Sequence, residues 1–164
     1  MKITDIETFH CFDGRSNNIF LQVHTDEGIT GVGEPYAIGP NEGVFGVIEN
    51  IKPWFIGQDA SRIEWLLRRA RNTMRFPLGA VAWSALSGID HCLWDIAGKA
   101  LGAPVYKLLG GKIRDRVRVY NGNIRTPFEG YQPEDFAANM KWMKELPQNF
   151  SIIKQGIAFH GSPM

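Results

Sequence analysis

The run from Gly79 to Gly111, GAVAWSALSGIDHCLWDIAGKALGAPVYKLLGG, limits what the chain can fold into more than any other stretch. Its apolar residues recur at helical spacing: Val81, Ala85, Leu86, Ile89, Leu93, Ile96, Ala97 and Leu101. Ala82, Ala85, Ser87, Gly88, Ala97 and Gly98 are small, so another backbone can come close, while Trp83 and Trp94 add bulk. Asp90 and Asp95 sit inside this run, where a carboxylate is costly unless it is paired or hydrogen-bonded. They read as ties to nearby backbone or arginine groups. Their spacing keeps them off one helical face, which disfavours a two-carboxylate site. Gly102 is placed for a left-handed C-terminal cap, and Pro104 cannot continue the helix. Val105 to Leu109 then reads as one short turn before Gly110-Gly111. A helix this apolar is buried, so something sizeable must surround it.

Upstream, Ile3, Ile6, Phe9 and Phe12 form an imperfect strand pattern, and Ile19 to Thr25 alternates well. Asp26-Glu27-Gly28 is a hairpin turn and Ile29 to Glu34 the returning strand, so three antiparallel strands in a meander open the protein. Gly31 and Gly33 leave one face bare for a close neighbour. Asn41 is the expected N-cap of a helix reaching Ile51, and Asp59 that of a helix burying Ile63, Leu66, Leu67 and Ala70. The arginines at 62, 68, 69, 71 and 75 read as a solvated helix face, because the net charge is only +1 and no aromatic interleaving supports base stacking. Nucleic acid is therefore not an expected partner. Neither is a membrane, since no apolar run reaches the roughly 20 residues of a span. The first ten residues lack a signal peptide's apolar segment, and Cys11 and Cys92 read as reduced, partly buried thiols, so the expected location is the cytoplasm. His10, His24 and His91 read as structural.

The run Ser87 to Gly102, SGIDHCLWDIAGKALG, resembles the last helix of the capping domain in the mandelate racemase and muconate-lactonizing branch of the enolase superfamily. Leu108-Leu109-Gly110-Gly111 matches the start of that family's barrel. The resemblance implies an α+β cap over residues 1–111: the three-stranded antiparallel meander followed by a helical bundle. A modified β/α barrel would begin at 112–164. It also implies a chemistry, removal of a proton next to a carboxylate with Mg²⁺ holding the enolate, and a small-molecule carboxylate as substrate. A homo-oligomer is expected.

After Gly111, Val117 to Asn121 reads as a strand, Pro133 to Leu146 as a helix and Phe150 to Lys154 as a second strand, one βαβ unit. An eight-stranded barrel needs at least ~200 residues. The family's metal ligands lie on its third to fifth barrel strands, which this chain lacks, so no metal ligand is expected within it. The chain reads as the N-terminal portion of a larger enzyme, inactive alone, or as a non-catalytic cap fragment acting only through protein contacts.

Lys154 ends the second barrel strand, where barrel enzymes keep their chemistry. The family often ends this strand Lys-x-Lys, with the second lysine as base. Lys154 matches the first position and is the expected catalytic residue, while Gly156 stands where the base would be. Glycine carries no proton. The resemblance therefore favours an acid-sugar dehydratase of the galactonate or mannonate type, with a racemase, epimerase or cycloisomerase as the rival. Expected substrate-binding residues are Arg15 and Asn18 in the first cap loop, Tyr36 in the second, Asn121 after the first barrel strand and His160 after the second.

Overall fold

The computed structural model describes residues 1–12, 17–36, 41–74, 78–122, 124 and 132–156. Strands β1 (Ile3–Phe12), β2 (Asn17–Thr25) and β3 (Thr30–Gly33) form an antiparallel sheet in that order. The turn after β2 contains Gly28 at φ +78°, a conformation glycine adopts without strain. β2 shows strict alternation, burying Ile19, Leu21, Val23 and Thr25 on one face. β1 is less regular because its register shifts between Ile3 and Asp5. That irregularity lets Ile3 and Ile6, three apart, both reach the core. The sequence pattern also included Phe9 and Phe12, but both are exposed.

Helices α1 (Asn41–Ile51), α2 (Ile63–Thr73) and α3 (Ala80–Leu101) cover the buried face. α3 lies on β2 and β3 with almost nothing between the backbones. A Cβ on Gly31 would sit 2.1 Å from the carbonyl oxygen of Cys92, and one on Gly33 2.1 Å from that of Gly88. Bare backbone on the strand meets small residues on the helix, as the spacing of both had implied. Asp95 accepts hydrogen bonds from the Val32 N–H (2.9 Å) and Lys99 (2.6 Å), and Lys99 also donates to the Thr30 carbonyl (2.7 Å). The expected backbone tie is present, with lysine in place of arginine. Asp90 differs: its Oδ1 is shut off from solvent and has no hydrogen-bond partner. Gly102 caps α3 at φ +59°, and Ala103 N–H reaches the Gly98 carbonyl at 2.9 Å. The short helix α4 (Val105–Leu108) follows.

Two expected caps are made differently. Asn41 is itself the first residue of α1; its Nδ2 donates to the Asn17 carbonyl at 3.2 Å, and its buried Oδ1 accepts nothing. Asp59 accepts from the Ser61 N–H at 3.0 Å, shaping the turn before α2, which is capped from Arg62 without a side-chain bond. Trp65 lies between the guanidinium groups of Arg62 (4.1 Å) and Arg69 (5.2 Å), so the basic face does carry an aromatic, occupied by its own arginines. Cys11 is exposed, not partly buried, and Cys92 is buried, its thiol pushed up to about 12 by desolvation.

The chain divides into two compact units, Met1–Lys112 and Ile113–Met164. In the second, helix α5 (Pro133–Lys144) starts with a capping box between Gln132 and Asp135. The two strands expected beside it are reduced to one parallel bridge, Asn121 with Ile153. Asn121 N–H donates to the Ile152 carbonyl (3.0 Å) and Lys154 N–H to the Asn121 carbonyl (2.8 Å). The direction is parallel, as expected, but no ladder extends from it among the described residues. No helix among the described residues is long and apolar enough to cross a membrane.

Candidate functional site

The pairing of Leu21 with Gly33 sets the geometry of the first unit's loop end. Three residues before Leu21 stands Asn18; three after Gly33 stands Tyr36. Antiparallel strands run oppositely, so the two reach the same end of the sheet. Asn18 pairs with Cys11 across β1. The Asn41 bond to the Asn17 carbonyl ties the start of α1 to that end. Tyr36 is 76% exposed, its ring free of the core. Its backbone is held: Ser84 Oγ donates to the Tyr36 carbonyl at 2.6 Å. The buried Pro35 packs on Gly88, where an added Cβ would lie 2.6 Å from Pro35 Cγ. Sequence reasoning missed Ser84 and Pro35 as anchors. A hydroxyl in an apolar helical run was the available signal. Arg15 lies outside the described residues, as does His160.

In the second unit the bridge brings Asn121 and Lys154 together through the backbone. Asn121 is buried; its Oδ1 accepts from the Ile124 N–H and its Nδ2 donates to the Ile124 carbonyl, both at 2.9 Å. Its side chain thus holds the loop after the first segment. Lys154 is exposed, with its ammonium 5.7 Å from the Tyr120 ring centroid. A Cβ at Gly156 would meet nothing within 4 Å. Packing therefore does not require glycine there, and a side chain would have had room.

Residues 9–110 match the model of the mandelate racemase / muconate lactonizing enzyme N-terminal domain. This chain belongs to that family, within the enolase superfamily. A D-galactonate dehydratase of Verminephrobacter eiseniae is 44% identical over 120 residues, 73% of this chain and 31% of the relative. The chain thus spans about a third of the length of the curated relatives it matches. Two solved structures share the fold. An enolase from Agrobacterium radiobacter with bound sodium and L-malate has a TM-score of 0.72 at 39% identity, over 84% of this chain and 35% of that one. An enolase from Pantoea ananatis with bound D-gluconate and magnesium has a TM-score of 0.71 at 37% identity, over 74% of this chain and 30% of that one. The α+β cap, three antiparallel strands followed by helices, is the superfamily's N-terminal fold.

The family implies magnesium. Among the described residues no three His, Cys, Asp or Glu side chains come together to hold a metal ion. The described part of this chain therefore does not fit the ion.

Proposed function

We propose that residues 1–111 are the cap and residues 112–164 the first part of the barrel of an acid-sugar dehydratase, a cytoplasmic homo-oligomer dependent on Mg²⁺. The observation that carries the dehydratase reading is Gly156. An enzyme that inverts a carbon needs a proton-bearing group on each face of the substrate. Gly156 stands in open space and supplies none. The named D-galactonate dehydratase relative points the same way.

In this reading Lys154 Nζ binds the substrate carboxylate, where a cation steadies the charge that builds as the α-proton leaves. A base on a later strand takes that proton. The hydroxyl of the neighbouring carbon departs as water, and the resulting enol becomes a 2-keto-3-deoxy acid. Arg15, Asn18, Tyr36, Asn121 and His160 are the residues this reading assigns to contacts with the hydroxyls of the substrate. Tyr36 suits the task, because its ring is exposed while its backbone is fixed by Ser84.

The test is the complete gene product, with Mg²⁺, against D-galactonate and its stereoisomers. Formation of the keto acid with loss of water is expected, and Lys154→Ala should lower kcat/KM about a hundredfold. Exchange of the α-proton with inversion and no loss of water would establish the epimerase reading instead. The 164-residue chain assayed alone is expected to be inactive.

A further inference from the structure

A second feature of the first unit stands apart from the loop end. A cleft of about 380 Å³ opens between α2 and α3. α2 contributes Glu64, Arg68 and Arg71, four and three residues apart on one face; α3 contributes Trp83, Leu86 and Asp90. Among the described residues none of the four charged side chains is in an ion pair, although both signs share one cleft. Asp90 Oδ1 is inaccessible to solvent and accepts no hydrogen bond, while the Trp94 side chain and the His91 charge favour the ionised form of the same carboxylate.

The charges are also sorted. A short connection joins the end of α2 at Thr73 to the start of α3 at Ala80, so the helices form a hairpin. Arg71 therefore shares the hairpin end with Trp83, and Glu64 shares the opposite end with Asp90. The two acids are close enough that Glu64 helps to hold the Asp90 carboxyl above the ordinary aspartate range, after the larger effect of burial. The cleft is thus negative at one end, positive from its middle to the other, and apolar in between. Along the helix axis the backbone of Arg68 and Arg71 stands about 6–10 Å from that of Glu64, the rise of four to seven helical residues.

We propose that this cleft binds a small ω-amino carboxylate, its ammonium at Asp90 and Glu64, its carboxylate at Arg71 and Arg68, and its methylene chain along Leu86 and Trp83. A volume of this size is within the range of small-molecule sites, and a few convergent polar groups over an apolar floor are their usual lining. An ammonium between the two acids would cancel the repulsion between them.

The experiment is a titration of the ¹⁵N-labelled 164-residue chain with 6-aminohexanoate, followed by NMR. Saturable shifts are expected at Glu64 to Arg71 and at the Trp83 indole. Hexylamine, hexanoate and glycine each lack one charge or the spacing, and should bind at least about tenfold more weakly, the loss of one charge-assisted hydrogen bond. Asp90→Asn and, independently, Arg71→Gln should each weaken binding about tenfold. Arg69→Gln, on the Trp65 side of α2, should leave it unchanged. No saturable shift, a single-charge analogue binding as well as the zwitterion, glycine binding as well, or neither cleft variant weakening binding would each overturn the proposal.

Discussion

The two units treat apolar residues in opposite ways. In Met1–Lys112, Ile89, Leu93 and Ile96 of α3 are fully buried against Leu21 and Val23 of β2. In Ile113–Met164, Ile113 is 91% exposed and Val117 70%, while Met143 of α5 is fully buried. Both have the residue pattern of a folded core. Among the described residues, three strands and three helices shield each other's inner faces in the first, whereas the second has one bridge and one helix. The difference shows that a strand sequence is a request for neighbours. Among the described residues, 116–120 join no ladder.

Substitutions at paired positions in the two units sharpen the contrast. Gly33→Val should cost about 4 kcal/mol or more, since its Cβ would run into the Gly88 backbone, whereas Gly156→Ala should stay within about 0.5 kcal/mol. Urea denaturation midpoints would measure both. An unchanged midpoint for the first would refute the close backbone contact. Leu93→Ala should lose about 2–5 kcal/mol, the range for a fully buried leucine. Val119→Ala, at an exposed position, should fall below about 0.5 kcal/mol. Hydrogen exchange gives a milder test. Amides of β2 should be protected near the global limit, and those of residues 116–120 should exchange almost freely. Slow exchange at 116–120 would mean that the second unit finds partners by self-association.

The smallest effect concerns Asp90. Burial raises its carboxyl in the folded state, so the folded chain holds that proton more tightly than the unfolded one. Below the unfolded value both states are protonated and nothing is lost. As pH rises through the folded value the charged form is penalised. Asp90→Asn should therefore raise Tm modestly at pH 7 and leave it unchanged at strongly acid pH. A fall in Tm at pH 7 would mean that the interactions of the carboxylate with His91 and Trp94 outweigh its burial.

Much of the first unit was legible in the sequence because its signals were local. The strict alternation of Ile19 to Thr25, the Asp26-Glu27-Gly28 turn and the Gly102 cap each specify one geometry. The failures came where tertiary geometry decides. Phe9 and Phe12 fit a strand pattern, but Phe9 falls on the face opposite Ile6, and Phe12, on Ile6's face, pairs with the exposed Asn17 at the end of the strand. Asn41 and Asp59 have the chemistry of helix caps, yet their side chains serve β2 and a turn. Trp65 stacks with arginines on its own helix face, a contact that spacing allowed but composition hid. The site was less legible still. Ser84 and Pro35 act on Tyr36 from 48 residues away and from the adjoining position, and only the folded backbone joins them.

The approach of Gly33 to Gly88 bears on how the protein can change over generations. Crowding between two side chains can be relieved by trimming either one. Here the obstacle is the carbonyl oxygen of a peptide unit, which every amino acid carries. A bulky replacement at Gly33 should thus have no single-residue suppressor at position 88. A selection for second-site revertants should return only restored glycine or changes that move the whole helix.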